Sequence, residues 1–182
     1  MVKRSMPQSS DFSLQDLYAA LDQQREARGL SWPQVMEEMQ KMHQGPRRIS
    51  TSRRRLSQST VTGIRFRRAA EGDGVLVMLR WLNRTPESFM PGHDQSKDIG
   101  ARLPDIPAGK ILRFDARKLH AAVDARRIER KMTWTEVAKE IGFGPTSLPR
   151  LSKGKRVVFP GVMRIFRWLD RPAADFTRAS DI

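Results

Sequence analysis

The chain repeats itself, and a repeat obliges one structural unit to be built twice. At an offset of 102 residues, Phe12-Ser13 matches Phe114-Asp115, and Leu17, Ala20, Asp22 and Arg25 match Leu119, Ala122, Asp124 and Arg127. Leu30-Ser31-Trp32 matches Met132-Thr133-Trp134, and Val35 matches Val137. At an offset of 87, Val61 and Ile64 match Leu148 and Leu151, Gly74-Val75 matches Gly161-Val162, and Phe89 matches Phe176. Arg80-Trp81-Leu82 likewise matches Arg167-Trp168-Leu169, so all 4 Trp fall inside the repeat. The two offsets differ by 15, so the first copy carries about 15 extra residues between Val35 and Val61. The expected organisation is a tail over 1–11, a first unit over 12–90 with an insertion at about 43–57, a linker over 91–111 and a second unit over 112–178. The linker is polar and punctuated by Pro91, Pro104 and Pro107.

Each copy reads as helices. Ser13 followed by Asp16, with Phe12 free to pack on Leu17, marks a helix start, and Asp115, Phe114 and Leu119 restate it. Leu14, Leu17, Tyr18 and Leu21 recur at helical spacing. A second helix opens at the box Thr133 to Glu136 and at Ser31 to Gln34, and in the second copy it ends at Gly142. A short helix is expected from about Thr146 to Leu151, then a last helix over Gly161 to Leu169, with Gly74 to Leu82 as its counterpart. Alternation of the strand type is scarce, so the expected class is all-α. Leu17, Val35, Trp81, Trp168, Phe89 and Phe176 are read as core, and Trp32 and Trp134 as caps on it. Arg25 and Arg127 fit internal ion pairs or DNA contacts equally well.

Lys and Arg number 34 against 20 Asp and Glu, a formal charge of +14. Such an excess favours polyanionic partners, with nucleic acid ahead of an anionic membrane surface. No run of about 18 apolar residues exists to span a bilayer, and the N-terminal MVKRSMPQSSDF lacks the apolar stretch of a secretory signal. The absence of Cys excludes disulfides and thiolate metal sites, and a cytoplasmic, nucleoid-associated protein is expected. His43, His93 and His120 stand apart without metal-ligand spacing. There is no phosphate-cradling glycine loop and no nucleophile–base motif. The chain therefore reads as a non-enzyme with no metal, no cofactor and no evident small-molecule ligand.

Thr133 through Gly142, then Phe143-Gly144-Pro145, then Thr146 to Leu151 and the trailing Ser152-Lys153-Gly154-Lys155-Arg156 resemble the lambda-repressor/Cro-like helix-turn-helix family. Ala138 permits close helix crossing, Gly142 supplies the turn, and Val137, Ile141, Leu148 and Leu151 supply inner faces. In the first copy, Leu56 to Ile64 resembles the family's second helix, although Met36 or Met39 stands where a small residue is usual. The resemblance covers about 140 of the 182 residues and implies two tandem helix-turn-helix bundles.

In that family the second helix lies in the major groove of double-stranded DNA. The resemblance thus implies base-reading by Gln58, Ser59, Thr60 and Thr62 in the first copy and by Thr146, Ser147 and Arg150 in the second. Gln pairs bidentately with adenine and Arg with guanine. Because Gly63 stands where the second copy has Arg150, the two copies should read different bases. Phosphate contacts are expected from Ser31 and Thr133 at helix starts and from Arg65, Arg67, Arg68, Lys153, Lys155 and Arg156. The insertion adds a basic arm: from Met39 to Ala70 there are Lys41, Arg47, Arg48, Arg53, Arg54, Arg55, Arg65, Arg67 and Arg68 and no acid. Arg47, Arg48, Arg53, Arg54 and Arg55 are expected to grip phosphates or enter the minor groove.

The expectation is a sequence-specific transcriptional regulator, a repressor that occludes its operator. One chain acting as a pseudo-dimer and a homodimer of chains both fit the sequence. The rival readings are an architectural nucleic-acid binder that ignores sequence and an antitoxin-like adaptor that uses the same fold to hold a protein.

Overall fold

A computed structural model of the chain describes residues 11–42, 58–67, 70–92, 102–107, 109–144, 147–153 and 158–181. The first copy runs α1 (Leu14–Ala27), α2 (Trp32–Lys41), α3 (Gln58–Ile64), β1 (Ala70–Glu71), α4 (Gly72–Leu82) and a 3-10 turn at Glu87–Phe89. The second runs β2 (Lys110–Phe114), α5 (Ala116–Glu129), α6 (Trp134–Ile141), a 3-10 turn at Pro149–Lys153, β3 (Val158–Phe159), α7 (Gly161–Leu169), a 3-10 turn at Ala173–Phe176 and β4 (Thr177–Asp181).

The all-α expectation is corrected by these strands: the fold is mixed α/β. β2 pairs antiparallel with β4, from Lys110↔Asp181 to Phe114↔Thr177, and β1 pairs antiparallel with β3 through Ala70↔Phe159 and Glu71↔Val158. The reason for the miss is physical. Strands of two residues are too short to show a period of two. β2 does alternate, with Leu112 and Phe114 buried, but it sits directly behind the prolines and Gly109 of the linker.

Local chemistry explains the helix limits. The Ser13 hydroxyl accepts from the Asp16 N–H at 3.1 Å, and Asp115 accepts from the Lys118 N–H at 2.9 Å, so α1 and α5 start alike. α6 ends on Gly142 at φ 80°, and α4 and α7 end on left-handed Asn83 and Asp170. The repeat extends to tertiary backbone bonds. Ser13 N–H donates to the Phe89 carbonyl at 3.1 Å, and Asp115 N–H donates to the Phe176 carbonyl at 2.7 Å.

Buried residues of both copies form one hydrophobic cluster. Leu17, Leu21, Val35, Met39, Val61 and Ile64 fill the first half; Leu119, Val123, Val137, Ala138, Ile141 and Leu148 fill the second. Phenylalanines join them: the Phe159 ring lies 4.9 Å from Phe12 and 5.4 Å from Phe114, which lies 5.5 Å from Phe166. Polar contacts cross the same boundary. Arg164 on α7 donates to Asp11 at 2.8 Å, Arg113 on β2 faces Asp73 on α4 at 3.7 Å, and the Ala173 N–H donates to Glu87 at 2.6 Å. Among the described residues no helix is long and apolar enough to cross a membrane.

Candidate nucleic-acid interface

Two segments carry the expected readers, and each has one face in the core. On α3, Val61 and Ile64 are buried, three residues apart, while Ser59 is exposed and Thr62 and Gly63 are half-buried. The side chains of Gln58 and Thr60 lie outside the described residues. Arg65, Phe66 and Arg67 follow, all exposed.

In the second copy the short helix expected from Thr146 is instead a 3-10 turn over Pro149–Lys153. Pro149 has no N–H to continue an α-helical ladder, and its ring crowds the preceding turn. At three residues per turn, buried Leu148 and half-buried Leu151 share one row. Exposed Arg150 and Lys153 share another, with exposed Ser147 just ahead of them. Thr146, Lys155 and Arg156 lie outside the described residues, as do Arg68 and the arm residues Arg47, Arg48, Arg53, Arg54 and Arg55.

The two helix starts differ electrostatically. Ser31 N–H and hydroxyl both donate to Gln34 Oε1 at 2.8 Å. Thr133 N–H and hydroxyl both donate to Glu136 Oε2 at 2.7 Å. The Thr133 backbone N–H, and then its hydroxyl, hold the Glu136 carboxyl below the usual glutamate range. The start of α6 thus carries its own anion, whereas the start of α2 carries a neutral amide. Both hydroxyl protons are engaged in caps, and of these two starts only that of α2 lacks an acid in its first turn.

Arg25 and Arg127 are used internally. Arg25 donates to Asp22 at 2.8 Å and to the Leu30 carbonyl at 3.1 Å; Arg127 donates to Asp124 at 2.8 Å and to the Met132 carbonyl at 2.9 Å. Each guanidinium also lies over a tryptophan, Trp32 or Trp134. Those indoles stack on Tyr18 and His120.

Three features escaped the sequence reading. First, a clamp is built twice. Arg28 pairs bidentately with Glu38 at 2.7 and 2.8 Å, and Trp81 Nε1 donates to the same carboxylate at 2.8 Å. Arg130, Glu140 and Trp168 repeat it at 2.8, 3.0 and 2.8 Å. The matching offsets of Arg28 with Arg130 and Glu38 with Glu140 were the available signal. Second, Phe66 is 82% exposed and stands where the repeat has Lys153. With Arg65 it borders an open groove of about 650 Å³ against Tyr18, Asp22 and Glu26 of α1. Third, a methyl group added at Gly63 would meet Arg67 Nε at 3.3 Å, so the Arg67 guanidinium lies over that glycine. Among the described residues no group of three or more His, Asp or Glu is placed to hold a metal ion. No family model, no curated protein and no solved structure matches the chain.

Proposed function

We propose that the chain is a sequence-specific double-stranded DNA-binding regulator that represses by occluding its operator. In this reading each copy is a helix-turn-helix reader of the lambda-repressor/Cro-like kind, set on a mixed α/β scaffold, and works at the nucleoid. The observation that carries the reading is the division of each reader segment into two faces. Val61 and Ile64 are sunk in the core while Ser59, Arg65 and Arg67 are presented outward; Leu148 is sunk while Ser147, Arg150 and Lys153 are presented. Hydroxyls and guanidinia on a supported segment suit base edges, and the flanking cations suit phosphates. The net charge of +14 supports the same class of partner.

The test is selection from random duplex DNA with the full chain, followed by competition against scrambled duplex across a salt series. The expected result is a motif bound roughly 10³-fold or more above scrambled DNA at fixed salt. Salt-sensitive binding without a motif would overturn sequence-specific reading in favour of an architectural role. No binding at all would leave the exposed faces to a protein partner.

A further inference from the structure

The two copies meet as the halves of a two-fold dimer do. Under the offset of 87, Glu71 and Val158 are equivalent positions, and in the β1–β3 ladder they face each other. A residue opposite its own equivalent is the signature of an isologous contact, with the axis running through that pair. Side-chain contacts follow the same relation approximately: Asp11 and Arg113 are equivalent under the offset of 102, and each forms an ion pair with the last helix of the other copy, at Arg164 and at Asp73, which stand about one turn apart in the repeat. Phe159 joins Phe12 and Phe114, which are also equivalents, in the shared core. The surface through which two identical chains would pair is thus consumed within one chain.

The readers carry the same relation. Arg150 is exposed on the second reader, and its equivalent is Gly63. A glycine there admits the Arg67 guanidinium, which lies 3.3 to 3.5 Å from where a Cβ would be. Both readers therefore carry an exposed arginine, Arg150 on the second reader itself and Arg67 folded back over Gly63 beside the first. A guanidinium on a reader is the commonest partner of guanine O6 and N7.

We propose that one chain, as an intramolecular pseudo-dimer, holds a single duplex with two half-sites about 10 base pairs apart, each carrying a guanine, read by Arg67 in one half and by Arg150 in the other. This rests on the DNA-reading function proposed above. It differs from simple divergence of the two copies, because an exposed guanidinium stands beside the first reader although Gly63 replaces Arg150 there.

The experiment uses full-length protein and the duplex recovered by selection. Native mass spectrometry gives the stoichiometry. Binding of guanine-substituted duplexes to the protein, to Arg67→Ala and to Arg150→Ala gives the assignment, with Arg→Lys at each position as a charge-retaining control. Both residues are exposed, and circular dichroism checks that the fold persists. One chain per duplex is expected. Arg67→Ala should lose roughly 5- to 150-fold of guanine preference in one half-site only, and Arg150→Ala the same in the other. The lysine variants should retain salt-dependent affinity but not that preference. Two chains per duplex, a single half-site, or both variants blunting the same half would overturn the proposal while leaving a sequence-specific regulator intact. Failure to recover any motif would overturn the DNA-reading function itself, and this proposal with it.

Discussion

Phe159→Ala tests whether the two copies stand or fall together. The ring is fully buried, 4.9 Å from Phe12 of the first copy and 5.4 Å from Phe114 of the second. Removing it forfeits about 1.5–3 kcal/mol of transfer free energy. The cavity term comes on top, because the walls belong to different copies and close only if those copies shift against each other. The total is about 3–5 kcal/mol, a large part of the roughly 5–15 kcal/mol that holds a folded unit together. With a urea m-value of about 2–3 kcal/mol/M, the midpoint should fall by about 1–2.5 M with m unchanged. Hydrogen exchange read by mass spectrometry adds the decisive comparison: amides of α1 and α5 should lose protection equally, although Phe159 belongs to the second copy. A midpoint shift under about 0.5 M, or protection lost in α5 and kept in α1, would refute a shared core.

Two further substitutions and one titration probe the scaffold. Glu38→Ala leaves the indole N–H of largely buried Trp81 without its acceptor and should cost about 1–3 kcal/mol in urea unfolding. Glu140→Ala should cost less, because Trp168 is more exposed and water can replace the carboxylate; equal costs would contradict this. Gly142→Ala places a side chain at φ 80° and should cost about 1–2 kcal/mol. Gly144→Ala, with ordinary φ and a Cβ 3.7 Å from Ser147 Oγ, should stay within about 0.5 kcal/mol of the parent. The Trp81 N–H, then Arg28, hold the Glu38 carboxyl below its ordinary value of 4.5. A carboxyl depressed by folding stabilises above its unfolded value, and that contribution is lost as pH falls through the folded one. Stability should therefore decline below pH 4.5, and Glu38→Gln should flatten the decline; an unchanged acid limb would remove Glu38 from the account.

The helix starts at Ser13, Asp115 and Thr133 were legible because caps are local: the donor and acceptor lie three residues apart. Gly142 as a helix stop, and α7 from Gly161 to Leu169, follow from equally local patterns. The β1–β3 pairing was not legible, because it joins Glu71 to Val158 across 87 positions and neither strand is long enough to alternate. The short helix expected from Thr146 to Leu151 leaves Pro149 out of account, and the proline decided the local geometry. At the candidate site, Arg150 and Ser59 are exposed. Arg67 over Gly63 could not be foreseen, since a flexible side chain folding back on its own segment leaves no periodic trace.

Part of what holds each unit together is repeated: Arg28, Glu38 and Trp81 return as Arg130, Glu140 and Trp168, and Asn83 and Asp170 both close a helix in the left-handed region. Several exposed positions differ between the copies: Gln34 corresponds to Glu136 and Phe66 to Lys153. Close packing tolerates little change, whereas exposed positions tolerate more. Two identical chains must present identical faces, so an operator read by them is held to a palindrome. A chain that carries both halves is released from that constraint. The differing charge at the starts of α2 and α6, and Arg150 standing where the other copy has Gly63, are differences that two identical chains could not carry.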